Sequence, residues 1–237
     1  MLWSTDLTVT RIMHELAKPE FDIGFFTNKL PETLAFWREE FSLAYEDPVH
    51  FNDGLVQHRH ALGNTVIKIN GAEDGVEENA PGGYGALYIA SDKVSEKTTK
   101  TDPNGNLIHL VPPGTYGITN VGIVVPTQML DEEEAFFLNA MGFSRQPTGW
   151  LRAGNCQILL KEEPKRQYCG HWVNAGFRYF TFHVKRVDEA FDAIIAAGGT
   201  EGEKPYAIGD IAKISFVRSP SGNWIEVAQR RELAGAW

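Results

Sequence analysis

One short pattern occurs twice in the chain, and it restricts the fold more than any other feature. Asp102-Pro-Asn-Gly-Asn-Leu-Ile-His-Leu and Ser219-Pro-Ser-Gly-Asn-Trp-Ile-Glu-Val each join a tight turn to the start of a strand. Asp or Ser opens the turn, Pro presets φ at the next position, and Gly supplies a left-handed residue. The third residue after the turn's final Asn falls on the same face in both copies, and those residues are His109 and Glu226. Strand-to-helix spacings repeat as well. Asp22 to Leu30 and Tyr179 to Val187 each span eight positions, and Asn120 to Leu130 spans ten with Pro126 in the longer loop. Self-similarity of this kind marks a chain assembled from copies of one supersecondary unit.

The elements follow from periodicity. FDIGFFT (21–27) reads as a strand. In LPETLAFWREEF, Leu30, Leu34, Trp37 and Phe41 form one helical stripe, with Pro31 suited to the first turn. Strands over 54–62 and 65–69 flank a Gly63-Asn64 hairpin signal, and further strands are predicted at 84–91 and 106–111. The pattern restarts with NVGIVV (120–125), a helix over 130–141, a hairpin around Gly154-Asn155, a strand at 178–184 and a helix carrying Val187, Phe191 and Ile194. Strands at 212–217 and 223–228 close the chain. Val9, Ile12, Met13 and Leu16 predict a short amphipathic helix in the N-terminal arm. The acidic, Gly-rich stretch 71–83 reads as a linker or lid, and 161–176 as a polar loop. The class is α+β: an arm (1–20), a first half (21–114) and a second half (115–237), each of two units. The second unit is shortened, because the polar stretch between Ser91 and Thr101 has no room for a crossover helix of typical length.

Charge narrows the partners. Twenty-two basic against 31 acidic residues give a net charge of −9, which lacks the footprint needed to hold a phosphate backbone, so nucleic acid is not expected. Cys156 and Cys169 form neither a disulfide framework nor a CxxC pair and read as two thiols in a reducing cytoplasm. Asp6, Arg11 and His14 interrupt any signal-like core, and no run approaches the ~18 apolar residues of a membrane span. A cytoplasmic protein with no membrane partner is expected.

The strand–helix–strand–strand unit ending in a (D/S)P(N/S)GN-x-I-(E/H) strand resembles the vicinal oxygen chelate superfamily. That superfamily includes glyoxalase I, bleomycin-resistance proteins, methylmalonyl-CoA epimerase and type I extradiol dioxygenases. The resemblance covers roughly residues 21–229. It implies tandem βαβββ modules forming two half-barrel sheets, each cupped around a cavity with helices outside. It also implies metal-ligand positions on the first and last strands of the modules. These are Asp22, Lys68, Ala86 and His109 in the first half, and Asn120, Leu159, Tyr179 and Glu226 in the second. The family's usual set is His or Gln with Glu. Only Glu226 keeps its type, Asp22 and His109 are ligand-capable substitutes, and a protonated Lys68 repels a cation. No cofactor is therefore favoured, although a divalent metal held by Asp22, His109, His58 and His60 stays open.

Asp22, Lys68 and His109 are expected to converge on one cavity and suit acid–base work: a carboxylate to orient or deprotonate, a Lys for a developing oxyanion, and a His titrating near neutrality. The plainer alternative is a buried Asp22–Lys68 ion pair in place of an ancestral metal, with His109 merely hydrogen-bonded. His58 and His60 share one side of their strand and either join this site or form a solvated face. Asn120, Tyr179 and Glu226 either bind a polar ligand group in a second cavity or leave Glu226 hydrogen-bonded to Tyr179. Three functions fit: a lyase or isomerase acting on a small, largely apolar oxygenated and possibly aromatic molecule, a metal-dependent enzyme of the extradiol-dioxygenase or glyoxalase type, or a non-catalytic, drug-sequestering binder. A homodimer is possible, since modules of this superfamily pair within or between chains.

Overall fold

In the computed structural model, which describes residues 12–51, 54–78, 82–167 and 170–237, the chain folds as four successive units. The first is β1 (Asp22–Phe26), α1 (Leu30–Phe41), β2 (Ala44–His50), β3 (Leu55–Leu62) and β4 (Thr65–Ala72). The second is β5 (Ala86–Ala90), β6 (Thr98–Thr101) and β7 (Leu107–Val111), with no helix between β5 and β6. The third is β8 (Val121–Thr127), α2 (Leu130–Ala135), β9 (Ser144–Arg145), β10 (Leu151–Ala153) and β11 (Cys156–Glu162). The fourth is β12 (Gly176–His183), α3 (Val187–Ala196), β13 (Thr200–Ile208), β14 (Ala212–Arg218) and β15 (Trp224–Arg230), followed by one short turn of helix, α4 (Arg231–Ala234).

These strands form two mixed sheets, the architecture the repeats imply. One has eight strands in the order β13-β14-β15-β12-β1-β4-β3-β2, the other seven in the order β6-β7-β5-β8-β11-β10-β9. The first unit therefore joins the fourth through the antiparallel pair β1–β12, and the second joins the third through β5–β8. Each sheet cuts across the 21–114 and 115–237 halves. Within every unit the first and last strands run parallel, as in β1–β4 and β12–β15.

Period-two alternation sends one set of side chains from each sheet to a shared core. Ile23, Phe25, Ile67 and Ile69 from one sheet meet Leu87, Ile108, Ile123 and Ile158 from the other, together with Trp37 of α1 and Phe191 of α3. Helix α2 continues beyond Ala135 as a wider π-turn (Phe136–Ala140), which brings Phe136 and Phe137 into the same core.

The repeated turn is a clamp as well as a backbone device. Thr33 of α1 accepts a bond from Asn104 at 3.0 Å, and so holds the turn that precedes β7 of the other sheet. Reciprocally, Glu133 of α2 accepts Ser219 Oγ at 2.5 Å, the Ser221 amide at 2.8 Å and Asn223 Nδ2 at 3.0 Å, holding the turn before β15. Gly105 (φ 84°) and Gly222 (φ 75°) supply the left-handed residue in each.

One expectation needs correction, and four strands lack a sequence signal. The described part of the arm is extended rather than helical: Leu16 bridges Val184, and the Ala17 amide donates to the His183 carbonyl at 3.0 Å. Pairing with the end of β12 outcompetes a short isolated helix; Val9 lies outside the described residues, as does Cys169. The strands β2, β6 and β13 are largely exposed at their side chains, and β9 has only two residues, so none carries a readable apolar alternation.

Candidate functional site

The open face of the eight-stranded sheet is a cup with a cavity of about 420 Å³. Its floor comes from the alternate residues that point away from the core: Lys68 and Asn70 of β4, Gln57 and Arg59 of β3, Tyr179 and His183 of β12, and Glu226 of β15. Trp172, Phe216, Ile214, Ile208, Phe51 and Leu55 supply apolar walls. The volume and the mixture of aromatic wall with a few buried polar groups match a small-molecule site.

At the centre, Lys68 Nζ lies 2.7 Å from Glu226 Oε2 and donates to Thr181 Oγ1 at 2.7 Å, while the Thr181 hydroxyl donates to the same Glu226 oxygen at 2.5 Å. All three side chains are buried. Burial pulls the Lys68 ammonium below its ordinary pKa, with Glu226 and Asp22 acting in the opposite direction. An ammonium has three donors, so one remains after these two bonds. Glu226 Oε1 makes no hydrogen bond with the described residues.

Tyr179 completes the floor. Its hydroxyl accepts from Gln57 Nε2 and from Asn70 Nδ2, both at 3.3 Å, and so keeps its own proton for a further partner. Burial and the nearby Glu226 push the phenol well above its usual pKa, which keeps it protonated at neutral pH. Gly24 makes this placement possible, because a Cβ there would stand 2.0 Å from Tyr179 Cζ.

Asp22 lies at the edge of this array and is fully committed. Oδ1 accepts Lys18 Nζ at 2.5 Å and the Val66 amide at 2.8 Å, and Oδ2 meets His183 Nε2 at 2.8 Å. Burial alone would raise its pKa, but His183, Lys68 and Lys18 outweigh that and hold the carboxyl well below the usual range. Burial keeps His183 below its ordinary pKa despite Asp22. A neutral imidazole whose Nε2 faces Asp22 carries a bare acceptor at Nδ1, and that atom has no hydrogen-bond partner among the described residues.

The structure thus brings Asp22, Lys68, Tyr179 and Glu226 together and separates them from the other predicted residues. His109 lies on β7 in the seven-stranded sheet, bonded to Thr99 Oγ1 at 2.8 Å, its ring 4.6 Å from that of Tyr88. The expected convergence with Asp22 and Lys68 fails because the first unit pairs with the fourth, not the second. His58 and His60 do share a face, but alternation along β3 turns it away from Gln57, Arg59 and the cavity. His58 Nδ1 pairs with the Tyr45 hydroxyl at 2.9 Å. His60 is buried without a hydrogen-bond partner for either nitrogen among the described residues, and burial, Arg38 and His58 bring its pKa down to about 4. Asn120 precedes β8 and donates to Thr65 at 2.9 Å, outside the cavity. Sequence reasoning missed Arg59, Thr181 and His183. The strand RYFTFHV carried the signal, since alternation places Tyr179, Thr181 and His183 on one face.

The fold family implies a divalent metal at such a place. The donors do not suit one: the Lys68 ammonium occupies Glu226, both Asp22 oxygens are engaged, and the hydroxyls of Tyr179 and Thr181 are weak substitutes for His. Among the described residues no group of three or more His, Cys, Asp or Glu is arranged to hold a metal ion. No helix there is long and apolar enough to cross a membrane.

The model of the Glyoxalase/Bleomycin resistance protein/Dioxygenase superfamily matches residues 22–227. Among solved structures, maize glyoxalase I superposes with a TM-score of 0.70 at 14% identity, covering 89% of this chain and 92% of that one. A Bacillus subtilis protein titled as a candidate dioxygenase gives 0.64 at 13% identity, covering 93% and 86%. Identities this low speak for the fold alone. No curated protein matches the sequence.

Proposed function

This chain belongs to the glyoxalase/bleomycin resistance protein/dioxygenase superfamily, and we propose that it is an enzyme of lyase or isomerase type that moves a proton within a small, largely apolar oxygenated molecule. The observation that carries the reading is the Lys68–Thr181–Glu226 array beneath an apolar cavity, with one Lys68 donor, the Tyr179 proton and Glu226 Oε1 all left unused. Those three are the parts an enolisation needs. Glu226 Oε1 takes a proton from the carbon next to a carbonyl, and the C–H electron pair moves onto the carbonyl oxygen. Lys68 and Tyr179 face the charge that develops there, where preorganised donors act most strongly. Return of the proton to a neighbouring carbon completes an isomerisation, and loss of a leaving group completes an elimination. The apolar walls exclude water and strengthen each of these interactions. Asp22 is a positioning residue that fixes β4 and His183, and His183 Nδ1 is a second acceptor of a proton.

The test is deuterium incorporation from D2O into enolisable ketones and aldehydes, followed by proton NMR. Glu226→Gln is expected to abolish catalysed exchange, and Tyr179→Phe to slow it by roughly 10²-fold, as for loss of one oxyanion donor. Exchange that survives both substitutions in folded protein removes the assignment. Tight binding with no exchange in any carbonyl compound would instead make the chain a binder. Elemental analysis of chelator-free protein that returned stoichiometric metal would favour the metal-dependent chemistry.

A further inference from the structure

We propose that the molecule taken by this cup carries a carboxylate beside its reacting carbonyl, and that Arg59 receives it. This rests on the preceding reading of the cup as the substrate site and narrows its substrate class to oxoacids. Arg59 and Lys68 are direct partners in the antiparallel β3–β4 register, so two cations project side by side onto one floor. Like charges facing each other across a sheet are destabilising unless something answers them. Within the buried floor Glu226 answers Lys68. Asp22 is balanced by Lys18. The remaining carboxylates of the cavity, Glu46 and Asp47, stand at its rim, where Glu46 is 40% exposed. Glu46 therefore answers Arg59 only from the partly exposed rim and only through Nε, which leaves the rest of the guanidinium available to a bound anion.

The guanidinium is also oriented for the task. Nε donates to Glu46 Oε2 at 3.0 Å, and Nη1 reaches Gln57 Oε1 only at 3.5 Å. Nη2 makes no hydrogen bond with the described residues. The Nη1–Nη2 edge is thus the less engaged one, held only by the long Gln57 bond, and it is an edge that grips a carboxylate with two parallel bonds. Its neighbour Lys68 lines the same cavity with a donor to spare. A 2-oxoacid spans the two cations: its carboxylate lies on Arg59, its keto oxygen on Lys68 and Tyr179, and the adjacent carbon lies toward Glu226. An apolar substituent then meets Trp172 and Phe216, whose rings stack 4.4 Å apart.

Phenylpyruvate and its uncharged methyl ester form the probe pair. Binding is measured by calorimetry and exchange at the benzylic carbon by NMR in D2O, with wild type, Arg59→Met and Arg59→Lys. Wild type is expected to bind the acid at least tenfold more tightly than the ester. Arg59→Met should erase that preference and Arg59→Lys should restore part of it, with each variant's melting temperature checking its fold. Failure of phenylpyruvate to bind at millimolar concentration, equal affinity for acid and ester, or a preference unchanged in folded Arg59→Met would each overturn the proposal. The two readings separate cleanly. Acid preference without exchange keeps the Arg59 subsite and rejects the proton-transfer function, whereas exchange without acid preference does the reverse.

Discussion

At the centre of the eight-stranded sheet, Gly24 faces Tyr179 on the antiparallel neighbour and Lys68 on the parallel one. At the centre of the seven-stranded sheet, Gly122 faces Tyr88 and Gln157 in the same two directions. The repeated turn ends in Glu226 in the first cup and in His109 in the second. A ring lies over each glycine, but with different results. Over Gly24 it is Tyr179, part of the sheet and tied by its hydroxyl, and the cavity stays open above it. Over Gly122 it is Trp150, from the chain entering β10, and its ring meets Tyr88 at 5.2 Å and stacks on Tyr116 at 6.0 Å. Trp150 packs with Ile118, Val124 and Ala86 into a hydrophobic cluster. One scaffold thus holds either a polar array with spare donors and acceptors or an aromatic plug. The comparison puts the proposed chemistry in the first cup and a hydrophobic cluster in the second.

The largest effects should fall on the ion pair. Lys68→Met leaves Glu226 buried and uncompensated, and removing one partner of such a pair costs about 3–5 kcal/mol. Catalysed exchange should fall roughly 10²–10³-fold, since the same ammonium is the proposed oxyanion donor. Adding Glu226→Leu should return most of the stability, read by urea unfolding, and none of the exchange. A double variant no more stable than the single one would show that the pair is not what holds the first cup together.

Trp150→Ala probes the second cup by removing the plug. Truncating a buried Trp costs about 3–5 kcal/mol, and the loss should appear in the melting temperature while exchange, measured well below that temperature, is retained. Loss of exchange in protein that is still folded would mean that the second cup takes part in the chemistry and that the division of labour is wrong.

The two cups were not equally legible. The repeated turn, the α1 stripe and the buried strands β1, β4, β8, β12 and β15 are all readable, because turn chemistry and apolar periodicity are local properties. Which unit pairs with which is not local. The motif at His109 and the motif at Glu226 look alike, and nothing in either says that Asp22 and Lys68 will share a sheet with Tyr179 and Glu226. Assigning Asp22 and Lys68 to one cavity was within reach of alignment along the first unit; adding His109 assumed that neighbours in sequence are neighbours in the sheet. Arg59 was hidden differently. It stands between His58 and His60, which drew notice as potential ligands, yet alternation gives the cavity to Arg59 and the back of the sheet to both histidines. Trp150 carries no signal at all, because its role depends on the missing Cβ of a distant glycine, Gly122, over which its ring lies.

The smallest expected effect is the one that separates the cups most sharply. His109 occupies in the second cup the place that Glu226 holds in the first, but its partners are Thr99 and the face of Tyr88. Burial, and then the nearby Lys97, hold its pKa below the ordinary value. The unfolded chain, with an imidazole near 6.5, therefore binds more protons than the folded chain just below that pH. Stability contributed by the neutral ring is present above pH 6.5 and is lost as pH falls from there through the folded-state value. His109→Gln preserves a hydrogen-bonding group and cannot be protonated in this range. At pH 7 it should change stability by under about 0.5 kcal/mol and leave exchange within twofold of wild type. Between pH 6.5 and 5 its unfolding midpoint should decline slightly less steeply than that of wild type. A variant that loses exchange at neutral pH, with its melting temperature intact, would return His109 to the chemistry and require the two cups to act together.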